Sequence, residues 1–193
     1  MDEKAMRKEY WREILTAALV LGLLCAVKIV LTYVFNSNTL LNWVLFFYEF
    51  TVIAWTLVHY GKKASRMPMF AVRGFTYGAA FGFSMLVLLV SGILVGLCQW
   101  FMTNVVDPAY YAEANRKAIE LVIQSNPAIG DAMIEGMQKG QAMMSSIWMM
   151  VFAGMFTMVF QGGLVALVTS TFVKRPPNPF DERYEGTGNS TLE

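Results

Sequence analysis

The 193-residue sequence predicts an all-α fold, a four-helix transmembrane bundle with both termini on one side, and three observations predict it. The first is composition. Hydrophobic residues make up 56% of the chain and charged residues 15%, with a mean hydropathy of +0.46, whereas soluble domains average about 45–50% apolar and about 25% charged. The second is that the charges cluster so as to leave four long apolar runs, at about 14–35, 39–60, 74–102 and 145–173, each long enough for the ~20 residues a bilayer span requires. The third is the placement of Lys and Arg, eleven on one set of flanks and three on the other. The net charge of +1 provides no global field for a polyanion, so nucleic-acid binding is disfavoured, and so is disorder.

The first run follows Lys4, Arg7, Lys8 and Arg12. It is longer than a signal-peptide core and lacks a small-residue cleavage end, so it reads as an uncleaved first span. A short Asn36-Ser37-Asn38 turn returns the chain into the second span. Lys62, Lys63, Arg66 and Arg73 then precede the third, and Lys174, Arg175 and Arg183 follow the fourth. The connection between the third and fourth carries Arg116, Lys117 and Lys139 against five acids. By the positive-inside rule both termini are expected in the cytoplasm. Trp11 at the inner boundary and Trp43, Trp100 and Trp148 near the outer one fit aromatic anchoring, while Trp55 falls within a span. Runs of some 29 residues at about 1.5 Å rise exceed the ~30 Å core, so the third and fourth helices are expected to tilt or protrude.

The outer connection, about 104–144, carries two helix-start signals, Asp107 before Pro108 and Ser125-Asn126 before Pro127. Two short helices are expected. In the first, Tyr111, Ala114, Ala118, Leu121 and Val122 recur on one face, opposite Glu113, Arg116, Lys117 and Glu120, the pattern of an interfacial helix or a cap over the bundle. The second has Met133 and Met137 on one side and Gly130, Gly136 and Gly140 along it. Residues 1–175 read as one transmembrane domain, and 176–193, opening on a Pro-rich run, as a mobile cytoplasmic tail.

Lys28 and Glu49 are the two charged residues inside these runs, and an unpaired charge at mid-helix costs about 2.5–3.5 kcal/mol even on the lenient scale. Counted from the turn, their depths differ by about 4.5 Å, and side chains lean toward their own helix N-terminus, which brings the two together. The expectation is an intramembrane ion pair; the alternative is Lys28 snorkelling to the surface. Asn42, Thr56 and Tyr60 lie within about 20° of Glu49 on a helical wheel, and Thr157 and Gln161 form a polar patch on the fourth span. These residues fit a proton or ion path or plain interhelical hydrogen bonds, and the structural reading is preferred because a paired lysine neutralises the acid.

Gly74, Gly78, Gly82, Gly92 and Gly96 fall within about ±40° on the third helix, with Gly162, Ala166 and Ser170 at matching spacing on the fourth. The stripe suits close packing inside one chain, with a homodimer as the rival reading. A single histidine, His59, and the isolated Cys25 and Cys98 suggest neither metal nor redox chemistry. The fourteen methionines read as gap-filling side chains rather than copper(I) ligands. No phosphate loop, zinc-protease motif, nucleophile elbow or dinucleotide fingerprint occurs, so no cofactor is expected. Asn189-Ser190-Thr191 has sequon form on the side expected to be cytoplasmic.

Four spans, the Asp107-Pro108-Ala109-Tyr110-Tyr111 segment and the closing Ser170-Thr171-Phe172-Val173-Lys174-Arg175 together resemble a family of uncharacterised bacterial inner-membrane proteins catalogued as a domain of unknown function. The resemblance runs from about Glu9 to Arg175. It implies a Gram-negative envelope and supplies no activity or catalytic residue. Members are often encoded near a polyprenyl-phosphate-type glycosyltransferase, which implies a cell-envelope role by association.

Three functions are thereby ordered. A non-enzymatic scaffold or accessory subunit of an envelope assembly comes first, contacting the bilayer and other membrane proteins through the glycine stripe and outer cap. A small oligomeric transporter or channel with Glu49 as its carboxylate comes second. An enzyme using Asp107, Glu113, Glu120, Asp131 and Glu135 comes last, because these acids form no recognisable acid and base constellation.

Overall fold

A computed structural model describes residues 3–35, 39–71, 74–125 and 131–177. They form six α-helices: α1 (Glu3–Val34), α2 (Thr39–Ser65), α3 (Tyr77–Phe101), α4 (Pro108–Ser125), α5 (Asp131–Met144) and α6 (Ile147–Val173). A 3-10 turn at Pro68–Phe70 precedes α3, and a π-helical turn at Met102–Val106 extends it. Four segments, Lys4–Val34, Leu40–Ser65, Tyr77–Val106 and Ile147–Val173, are long and apolar enough to cross a membrane, which makes the chain a multi-pass membrane protein. The helices outlast the apolar runs because charged turns at either end remain helical. α1 thus starts at Glu3 rather than near residue 14, and α2 continues to Ser65.

Side-chain caps set two of the starts. Thr76 accepts a hydrogen bond from the Ala79 amide at 3.2 Å, and Ser146 accepts one from the Met149 amide at 3.3 Å, each satisfying a donor that the helix start leaves free. The cap at Thr76 puts Gly74 outside α3, so Gly74 does not belong to the helical stripe. Its φ of 71° instead lets the chain pass under Arg175 and Pro177, where a Cβ would lie 2.6 Å from the Pro177 nitrogen. Immediately after it, Phe75 and Arg175 exchange two backbone hydrogen bonds of 2.9 Å, which close the end of the α3–α6 hairpin.

The bundle is two antiparallel hairpins, α1–α2 and α3–α6, laid side by side. The most extensive interface joins α3 and α6, followed by α1–α3, α1–α2 and α2–α6, so α1 stands diagonal to α6 and α2 to α3. Across the hairpins the neighbours run parallel: Gln161 meets Glu49 and Val173 meets Gly61, the same offset of 112 positions at both levels. The core is built from Ile14, Leu21, Ile53, Leu57, Phe83, Val87, Leu88 and Met158. An aromatic cluster plugs the end that carries the described termini: the Tyr10 ring stacks edgewise on Phe70, 5.8 Å between centroids, and Phe70 on Phe75 at 4.6 Å. Only 22% of the α6 window is buried inside the protein, and Phe152, Phe156, Phe160, Leu164, Val168 and Phe172 point outward. An apolar face of that size is tolerable against lipid, not water.

The glycines of α3 divide by depth. A Cβ on Gly92 would lie 2.6 Å from the Met155 Cα, and one on Gly96 the same distance from the Val151 Cα, while Gly154 faces both from α6. Gly162 abuts Leu88, and Ala166 and Ser170 are buried below it. Gly78 and Gly82, by contrast, face open space. The stripe therefore serves internal packing only at its Gly92 and Gly96 end, because the face that α3 turns to α6 shifts along the helix, to Leu88 against Gly162 and to Tyr77, whose hydroxyl donates to the Leu167 carbonyl at 3.1 Å, which leaves Gly78 and Gly82 beside the interface. Gly92→Ala and Gly96→Ala are each expected to lower stability by about 1–3 kcal/mol, whereas Gly78→Ala and Gly82→Ala leave it unchanged or slightly raised. Thermal unfolding of the four variants in one detergent checks the contrast, and a uniform loss across all four contradicts it.

Candidate functional site

The lipid-depth charges converge where α1, α2 and α6 meet. Lys28 Nζ lies 2.5 Å from Glu49 Oε2, and Gln161 Nε2 donates to the same oxygen at 3.3 Å. The Glu49 side chain is 10% exposed and that of Lys28 27%. Next to Glu49, Tyr48 donates its hydroxyl to the carbonyl of Leu24, one turn before Lys28, at 3.3 Å, a second tie between the same two helices. The lysine thus reaches across to α2 rather than out to the surface. A cavity of about 260 Å³ adjoins the pair, lined chiefly by apolar side chains and, among polar ones, by Gln99 and Thr157; Cys25 lies at its edge.

A second ion pair lies about four helical turns from the first and was not expected from sequence. Lys63 Nζ meets Glu13 Oε1 at 2.9 Å, with the Glu13 side chain only 6% exposed. Glu13 stands one position before the first apolar run, so counting charges inside the runs passes over it. The signal was nevertheless present: Glu13 and Lys28 are fifteen positions apart on α1, and Glu49 and Lys63 fourteen apart on α2. Two antiparallel helices with that spacing bring both opposite-charge pairs together at once, about 22 Å apart along the axis.

The remaining polar positions scatter. Thr56 lies fully buried between the two ion pairs, and its Oγ1 has no hydrogen-bond partner among the described residues, nor has Glu13 Oε2. Tyr60 is half-buried at the rim of the core, edge-on to His59 at 5.1 Å, and Asn42 is exposed near the start of α2. Thr157 is exposed at the cavity mouth. So of the stripe only Glu49, Gln161 and the Lys28 that joins them form a bonded set.

The connection between α3 and α6 is held at its base. The Tyr33 hydroxyl donates to Asp107 Oδ2 at 2.7 Å, and the Asn104 amide donates to the Ser145 carbonyl at 3.3 Å. Beyond those ties α4 packs mainly on the π-helical turn and α5 on the start of α6. Ile119 is the buried apolar residue of α4, and Leu121, which the wheel assigns to the inward face, is 64% exposed. Leu121 therefore faces away from the bundle. Of its acids, Glu113 is bracketed by Arg116 at 3.2 Å and Lys117 at 3.5 Å, and the hydrogen bond from Arg116 holds its carboxyl below the usual range. Glu120 and Glu135 likewise pair along their own helices, with Arg116 and Lys139. The Asp131 side chain, Gly130, the Asn126-Pro127 signal, Arg73, Arg183, the sequon and the tail from 178 lie outside the described residues.

Chemically, the bonded set is a carboxylate with two donors on one oxygen and an ammonium as its counter-ion. In a low-dielectric setting such a pair is worth little relative to well-packed apolar residues, but removing one member leaves a buried charge unmatched, at about 3–5 kcal/mol. Lys28→Met and Glu49→Leu are each expected to destabilise by that order, and the double variant by much less than their sum. Additive losses in a membrane-protein unfolding assay contradict the pairing. Thr56→Val is expected to be neutral or stabilising in the same assay, because it removes a buried hydroxyl that no partner satisfies.

Compared with known proteins, residues 16–175 match the family model described as "Protein of unknown function (DUF4199)". No curated protein and no solved structure matches the chain.

Proposed function

We propose that this chain, which belongs to the DUF4199 family of proteins of unknown function, is a non-enzymatic scaffold or accessory subunit of a cell-envelope assembly in a bacterial inner membrane, with both termini in the cytoplasm. The eleven-to-three division of Lys and Arg supports the orientation.

The observation that carries the scaffold reading is the open G-x-x-x-G step at Gly78 and Gly82. Gly92, Gly96, Gly154 and Gly162 are all used inside the chain, while nothing lies within 4 Å of a Cβ at either of these two. Small residues on a lipid-facing helix let a second helix approach backbone to backbone, the main source of association where lipid competes with apolar side chains. Helices α4 and α5 add a second exposed surface, with Leu121, Val122, Met133, Met143 and Met144 outward. The partner is another membrane protein or a second copy of the chain.

A second reading, a small oligomeric transporter using Glu49, draws on the cavity beside the ion pair. Against it stands the bonding of Glu49, whose Oε2 is held by both Lys28 and Gln161. A coupling carboxylate has to change partners during its cycle.

Gentle affinity purification from native membranes is expected to return a reproducible partner, and Gly78→Leu/Gly82→Leu to lose it while the thermal unfolding temperature stays put. A protein that always purifies alone as a monomer counts against the scaffold. If Glu49→Gln abolishes a measurable flux with folding intact, the transporter reading replaces it.

A further inference from the structure

We infer that the end of the bundle where α2 and α6 finish is a binding site for the headgroup of an anionic phospholipid. Lys62, Arg66, Lys174 and Arg175 line one open groove of about 650 Å³, with Ser65 between them and Phe172 and Val173 at its lower edge. Its floor is the contact of Gly61 with Val173, where a Cβ would lie 2.8 Å from the Val173 Cγ1; that close approach brings the two helix ends, and so their cations, together.

Charge balance decides the sign of the ligand. The carboxyl ends of α2 and α6 each contribute about half a negative charge, which four full positive charges outweigh. Two cations on the same end are already matched, Lys63 by Glu13 and Arg12 by Glu9, while no carboxylate among the described residues pairs with any of the four that line the groove. Ser65 donates its hydroxyl to the Lys62 carbonyl, so the donors offered to a ligand are the cationic ones.

The surroundings choose a lipid over a free anion. Phe172, Val168, Leu164 and Phe160 follow one another at four-residue steps down the outer face of α6, each 59–68% exposed. They form an apolar track of about 18 Å directly below the groove, comparable with one leaflet of the ~30 Å hydrocarbon core. A phosphate in the groove and an acyl chain on the track satisfy both parts at once. Arg supplies forked donors that match phosphate oxygens, and Lys a compact charge beside them.

The test uses the full-length protein reconstituted in phosphatidylcholine vesicles carrying a minor share of phosphatidylglycerol. Lipids still bound after extraction in mild detergent are then counted by native mass spectrometry. Wild type is expected to retain phosphatidylglycerol in excess of its share. Arg66→Gln/Arg175→Gln is expected to reduce that preference about tenfold or more, since each cation near an anionic surface is worth roughly a fivefold factor. Arg7→Gln/Lys8→Gln, which removes the same charge from the same end, is expected to leave it intact. Should the first double variant fold poorly, Lys62→Gln/Lys174→Gln reads the same site. An equal fall in both the groove and the control variants overturns the inference in favour of a diffuse surface field. So does no preference in wild type, or a preference that the groove variants keep. If inorganic phosphate at equal concentration displaces the lipid completely, the track is irrelevant and the site is one for a free anion. If phosphatidylglycerol binds only once Asp181→Asn/Glu182→Gln/Glu185→Gln is introduced, the chain's own tail is the occupant.

Discussion

Two ion pairs of opposite polarity set the register of α1 against α2, and the rest of the bundle depends on that register. Glu13 on α1 meets Lys63 on α2, and further along Lys28 on α1 meets Glu49 on α2. A slip of one turn in either direction separates both pairs, and it leaves Glu49 and Lys28 unmatched at a depth where solvent cannot screen them. In lipid, apolar contacts alone discriminate poorly between registers because a leucine loses little by facing a tail instead of a neighbour. The ionic ladder supplies the missing discrimination.

The second hairpin packs on the first through positions that have no side chain. Gly22 receives Leu94 from α3 and Gly61 receives Val173 from α6, while Gly92, Gly96 and Gly154 bring the α3 and α6 backbones together. Gln161 reaches Glu49 and joins the two hairpins at the first ion pair. Charge, small residues and one amide thus hold different interfaces of the same bundle. The same economy bears on function, for it engages the intramembrane carboxylate and most of the glycines inside the chain. What it leaves outward is the Gly78 and Gly82 step, the apolar side of α4 and α5, and the basic groove at the end of α2 and α6.

Legibility in the sequence followed how local each feature is. The four spans were readable because hydropathy is a property of single segments, and family membership over residues 16–175 agrees with a resemblance carried by short motifs at 107–111 and 170–175. The Lys28 and Glu49 contact was readable because only three residues separate the first two apolar runs, which limits the relative depth of the two helices. Glu13 was missed for a boundary reason: it stands one residue outside an apolar run, and its partner Lys63 looks like an ordinary flanking lysine. Leu121 is exposed and Ile119, which neither face of the wheel claimed, is buried, because a helical wheel describes one helix and not the surface it rests on.

The sequence by itself therefore determined the membrane class, the number of spans, the antiparallel first hairpin and the chemistry available at depth, since all of these follow from apolar length, charge and turn length. Only the tertiary structure decided which glycines are used. Gly74 left the helix to pass under Arg175, Gly92 and Gly96 met α6, and Gly78 and Gly82 stayed open. The reason is geometric: five residues on one wheel face share a direction, but the face that one helix turns to a crossing neighbour shifts along its length, here from Gly96 and Gly92 to Leu88 and Tyr77. Where that crossing falls depends on every interface of the bundle together, and no single helix records it.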